Sequence, residues 1–246
     1  MNFAIIYTII ILILAVPIFL TDFAKSIPVG IRIFIIVFTL AFLWSYTIFF
    51  RTRGRLGFGG IILLILFYFI TFVIIIPTGV GSTVISFLER GNMKPPITIG
   101  SEENTEQIYI VYHPGMSSFT IDALKILSEN ISRYNVKVTL YSINKNLQIN
   151  LQNVKAIGFA SPIYAGSVRQ TLFDYIAKSD LSGKKCFVIV TGSDREGIEK
   201  DTLKVTKLIE EKGGNVIGKT KFINSDKENE LKEKIEFFGQ GLLKKL

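Results

Sequence analysis

Cysteine and histidine are nearly absent from this chain: Cys186 and His113 are the single examples of each in 246 residues. One cysteine excludes an internal disulfide, and one of each excludes a zinc centre of the usual Cys and His composition. Cys186 lies in an apolar, strand-like run, which gives it the part of a small core side chain. Charge is missing too, from three long stretches: residues 3–20, 33–50 and 57–86 contain no Asp, Glu, Lys or Arg. That absence argues against a proton or ion path through them. Nor does the sequence offer a nucleophile with its base. Ser117 and Ser193 would need one, and His113 has no evident carboxylate partner.

What is abundant is apolar surface. The hydrophobic fraction is 49% and the mean hydropathy +0.42, and the excess sits in the first third. Each uncharged stretch is long enough, at about 1.5 Å per residue, to cross a hydrocarbon layer of roughly 30 Å. Residues 1–90 are therefore expected to form a membrane anchor of three transmembrane α-helices, with the lipid bilayer as partner and a multi-pass place in the cell membrane. The first stretch lacks a basic leader and a small-residue cleavage site, and two more follow it, so it reads as retained. Trp44, Tyr46 and Tyr68 are candidate interfacial anchors. Arg51, Arg53 and Arg55 mark one side of this anchor, and Lys25, Arg32, Arg90 and Lys94 the other. A margin of four to three leaves orientation to other arguments.

Residues 91–106 combine a Pro pair, Pro95 and Pro96, with glycine and an acidic tract, and show no apolar periodicity; they read as a linker. Residues 107–246 form the soluble domain. They hold 21 Lys plus Arg against 15 Asp plus Glu. Those lysines alternate with glutamates along helical segments, the pattern of a solvated face and not of a nucleic-acid stripe.

In this domain β-type and α-type segments alternate. Residues 108–112, 136–141, 156–160, 186–190 and 216–223 read as strands, and 120–134, 168–177, 197–212 and 228–244 as helices. The first helix carries Ile121, Leu124, Leu127 and Ile131 on one face. Strands one, three and four are nearly continuous apolar runs, as expected when helices cover both faces of a parallel sheet. The spacing predicts an α/β doubly wound five-stranded parallel sheet of order 2-1-3-4-5, with any ligand at the carboxyl ends of strands one and three.

Three loops follow strands one, three and four. The first, HPGMSSFT, offers Gly115, Ser117, Ser118 and Thr120 at the start of a helix, where a phosphate is readily held. In the second, Ser161, Pro162, Ile163, Tyr164 and Gly166 present backbone groups and a stacking face to a planar heterocycle, or simply turn the chain. The third, Thr191, Gly192, Ser193 and Asp194, either borders such a ring or caps the next helix.

The run GFASPIYAGSVRQTLFDYIAKSDLSGKKCFVIVTG closely resembles flavodoxins and flavodoxin-like oxidoreductases, in which a Ser-Pro-aromatic-Gly loop, a helix and a Ser-Gly-Lys-Lys lead-in to strand four occur in this order. The resemblance covers residues 107–246. It implies a flavodoxin-like fold and FMN as cofactor: Ser117, Ser118 and Thr120 on the phosphate, Tyr164 and residues 161–166 against the isoalloxazine, and residues 191–194 on its other side. It also implies electron transfer to a redox partner protein or a quinone-like acceptor, and places the domain on the cytoplasmic side.

The first loop departs from the family's compact Ser/Thr-x-Thr-Gly-x-Thr pattern. If His113 matches its first hydroxyl, Ser118 takes the last and Pro114 supplies no N–H; if Thr120 matches the last, the loop is two residues longer. His113 either adds positive charge beside a phosphate or is a hydrogen-bonded strand-end residue. Two other readings stand beside electron transfer. One is a membrane-tethered interaction module that has kept the fold without FMN, and the other an accessory subunit docking a transporter or respiratory complex.

Overall fold

A computed structural model describes residues 94–144, 147–164, 167–193 and 197–246, together with Ile62 and Val84. The chain divides into two units, Met1–Phe87 and Leu88–Leu246, and all but two of the described residues belong to the second. The three uncharged stretches expected to span a membrane lie outside the described residues, Ile62 and Val84 apart. Among the described residues no helix is long and apolar enough to cross a membrane.

The elements run β1 (Ile97–Ile99), β2 (Glu106–Tyr112), α1 (Phe119–Ser132), β3 (Val136–Ser142), β4 (Ala156–Tyr164), β5 (Ser167–Val168), α2 (Gln170–Lys178), β6 (Lys185–Gly192), α3 (Ile198–Glu211), β7 (Asn215–Ile223) and α4 (Glu228–Leu243). The sheet order is β1-β3-β2-β4-β6-β7, with β5 paired to β4. Strands β3, β2, β4, β6 and β7 are mutually parallel. They reproduce the expected order 2-1-3-4-5, a flavodoxin-like α/β sheet.

Period-two alternation sends the side chains of the central strands to two separate cores. Ile108, Ile110, Phe187 and Ile189 pack with Leu124 and Leu127 of α1 and Ile235 and Leu242 of α4. Val111, Phe159, Val188 and Val190 pack on the other face with Leu172 and Ile176 of α2 and Val205 and Ile209 of α3. Two buried faces explain why these strands are unbroken apolar runs. Gly158 allows one tight passage in the first core: a Cβ there would lie 2.4 Å from the Phe187 ring.

Three boundaries differ from the sequence expectation. Ile97–Ile99, within the stretch read as linker, adds an antiparallel edge strand on β3, with Ile97 opposite Leu140 and Ile99 opposite Val138. Three residues are too few to show a period, and the prolines before them are tolerated at an edge. The second loop also begins later than expected. Residues 161–164 continue β4, Ser161 opposite Val190 and Pro162 opposite Thr191. The β2 pairing stops at Ala160, so Pro162 sits where β4 has a neighbour on one side only and its missing N–H breaks no ladder. Val168, expected in a helix, belongs to β5, and α2 starts at Gln170.

Candidate functional site

In a doubly wound sheet the crevice opens where the winding reverses, at the carboxyl ends of the strands flanking the switch point. Here those strands are β2 and β4, with β6 next to β4. The three loops singled out in the sequence therefore meet at one rim, and each is tied to another by a specific contact.

The first loop leaves β2 as an extension of the ladder: the His113 N–H donates to the Ala160 carbonyl at 2.9 Å. His113, Pro114 and Gly115 are buried, whereas Met116, Ser117 and Ser118 are exposed. Ser118 occupies the N-cap position of α1 without a side-chain capping bond. A Cβ on Gly115 would stand 3.2 Å from the Tyr164 hydroxyl, 3.3 Å from the Ser117 carbonyl oxygen and 3.4 Å from Thr120 Oγ1. Glycine there makes a small hollow walled by three oxygens.

Tyr164 reaches this hollow from the end of β4. Its phenol oxygen accepts a hydrogen bond from the Met116 backbone N–H at 2.6 Å. The resemblance implied Tyr164 against a flavin ring; in the structure its hydroxyl lies on the first loop. The other tie is deep. Thr120 Oγ1 and Thr191 Oγ1 are 2.8 Å apart and buried, so these two hydroxyls bond each other across the base of the first and third loops. Ser161 also points inward: its Oγ donates to the Pro162 carbonyl at 2.9 Å and accepts from the Arg169 N–H at 3.3 Å. Ile163 is half-buried and lies beside the third loop, its Cβ 3.8 Å from the place a Cβ on Gly192 would take. Ser193 is exposed. Gly166 and Asp194 lie outside the described residues.

Two features of the rim were not singled out in the sequence. Arg169 is wholly buried, with its guanidinium carbon 5.6 Å from the centroid of the Tyr164 ring, a cation–π contact in a desolvated place. Its signal was available: Arg169 is the lone charge between Lys155 and Asp174. Beneath the third loop, Lys221 of β7 and Asp201 of α3 form an ion pair of 2.7 Å with side-chain exposures of 2% and 10%. Lys221 Cε would be 3.6 Å from a Cβ on Gly192. Nothing in the sequence separates Lys221 from its exposed neighbour Lys219.

A flavin phosphate needs an exposed donor set and close backbone approach. The Met116 amide already holds an oxygen acceptor at 2.6 Å, in a hollow that only glycine leaves open, with the Ser117 and Ser118 hydroxyls exposed beside it. The phenol oxygen occupies the acceptor position that a phosphate oxygen would take, and these residues would fit the group only with Tyr164 moved from that position. Cys186 takes no part. Burial pushes its thiol up to about 12, which keeps it protonated and inert in the core.

No protein-family model and no curated protein matches the chain. Among solved structures it is similar to flavodoxin 2 from Bacillus cereus, at 21% identity over 57% of this chain and 99% of that one, with a TM-score of 0.49. It is similar as well to a Fusobacterium nucleatum flavodoxin bound to flavin mononucleotide, at 14% identity over 57% and 99% of the two chains, with a TM-score of 0.45. A flavodiiron core from Synechocystis matches at 15% identity over 58% of this chain and 37% of that one, with a TM-score of 0.41.

Proposed function

We propose that this chain is a membrane-anchored, flavodoxin-like protein that binds FMN and takes part in electron transfer, as a carrier or as a reductase of quinone-like or protein acceptors. The observation that carries the reading is the convergence of the first, second and third loops at the switch-point rim, tied by the Met116–Tyr164 and Thr120–Thr191 contacts. In this reading Ser117, Ser118 and the backbone after Gly115 hold the phosphate. Ile163 and Tyr164 border the ring from β4, and Gly192, Ser193 and Asp194 from the end of β6 and the loop after it. The buried Thr120–Thr191 pair fixes the distance between the first and third loops. Bound FMN supplies the exchange of electrons; the chain contributes position, shielding and charge. The uncharged stretches 3–20, 33–50 and 57–86 support the anchor, with the domain on the cytoplasmic side.

The test is the absorption spectrum of the full-length chain in detergent micelles with FMN added. Bound-flavin bands with quenched flavin fluorescence are expected, and no binding at micromolar FMN overturns the cofactor assignment. Labelling of single cysteines introduced into each connection between the uncharged stretches decides the orientation. One observation favours a second reading, the tethered module without cofactor: the Met116 amide is already satisfied by Tyr164.

A further inference from the structure

We infer that Tyr164 is an internal latch on the phosphate loop, whose hydroxyl a phosphate-bearing ligand must displace from the Met116 N–H before it can bind. The inference rests on the phosphate role of the first loop proposed above. A peptide N–H carries one proton and makes one strong hydrogen bond, so phenol and phosphate oxygens compete for it. The bond is short, at 2.6 Å, and the phenol oxygen is packed against the loop, 3.2 Å from the place a Cβ on Gly115 would take. It therefore blocks close approach by any other acceptor.

The two ends of the Tyr164 side chain are held differently. The ring lies near the guanidinium of Arg169, which is wholly buried and whose backbone N–H is bonded to Ser161 Oγ. The hydroxyl end meets Met116, which is 37% exposed, so solute anions reach this contact from water. The latch is thus anchored from inside and releasable from outside. Its thermodynamic effect follows from population: a ligand that binds only the unlatched form has its affinity reduced by the unlatched fraction.

Methionine labelling gives a direct readout, because the chain contains only three methionines and the Met116 amide is assigned by Met116→Leu. Full-length chain labelled with 15N-methionine is titrated with inorganic phosphate and, separately, with FMN, as wild type and as Tyr164→Phe. The wild-type Met116 resonance is expected to move with both ligands, and the variant, which keeps the ring but loses the phenol oxygen, is expected to bind phosphate roughly fivefold more tightly. Equal phosphate affinity in the two proteins overturns the latch, as does phosphate binding that leaves the Met116 resonance in place. If the variant does not fold, the wild-type titration still decides by whether that resonance moves. FMN binding without any phosphate effect at Met116 overturns the latch and leaves the cofactor assignment standing. Phosphate binding that is tighter in the variant, without FMN binding, does the reverse, and no binding of either ligand overturns both.

Discussion

The tie between the first and second loops and the tie between the first and third are both single hydrogen bonds to a hydroxyl, yet one lies at the surface and the other in the core. Met116–Tyr164 joins an exposed residue to a half-buried one. Thr120–Thr191 is buried, and the third loop is further underlaid by the Lys221–Asp201 pair. A bond beside water can be exchanged for water or a solute anion at little net cost, whereas a buried one leaves an unsatisfied group when it breaks. The rim therefore has one fixed wall, the third loop, and one adjustable wall, where the first and second loops meet.

The largest effect is expected from breaking the fixed wall. Lys221→Met leaves the Asp201 carboxylate buried without the ammonium it faces, a loss of about 3–5 kcal/mol, read as a lower urea midpoint. Adding Asp201→Leu restores most of it, because a packed apolar pair can replace a buried ion pair; failure to recover would show that further partners of Lys221 carry the effect. Thr191→Val strands the Thr120 hydroxyl and is expected to lower stability by about 1–3 kcal/mol, seen in the same melts. Tyr164→Phe is expected to change stability by less than about 1 kcal/mol, since water can take over the Met116 amide. A loss as large as that of Thr191→Val would erase the distinction between the walls.

The smallest effect is a pH dependence far from the rim. Burial raises the Cys186 thiol from 9.0 to about 12, so between those values the folded chain keeps a proton that the unfolded chain releases. Its contribution is complete below pH 9 and declines as pH rises through that window. The gap in urea midpoint between wild type and Cys186→Ala, measured from pH 7 to 10, should stay constant at neutral pH and change only at the alkaline end, where wild type loses stability. Native protein at pH 8 should also resist iodoacetamide until urea is added.

Much of the scaffold was legible in the residues. The apolar runs of β2, β4 and β6 and the spacing of Ile121, Leu124, Leu127 and Ile131 report burial directly, because strand and helix periods translate into faces. What was not legible depends on where neighbours stop. Pro162 looked like the start of a loop because a proline in a central strand breaks pairing; only the end of β2 at the level of Ala160 makes it harmless. The loops were found but their internal contacts were not. A hydroxyl-rich sequence such as SSFT does not reveal that the Thr120 hydroxyl turns inward to Thr191 while those of Ser117 and Ser118 face water. Arg169 and Lys221 were not singled out, because such residues are mostly exposed, and their burial is decided by elements distant in sequence.

The short strand β1 gives the domain a point of attachment. Because it runs antiparallel to β3 and begins opposite Leu140, two residues before the end of that strand, the polypeptide arriving through Lys94 and Pro95 joins the sheet towards its carboxyl rim. The incoming chain and the proposed flavin mouth thus share the carboxyl end of the sheet.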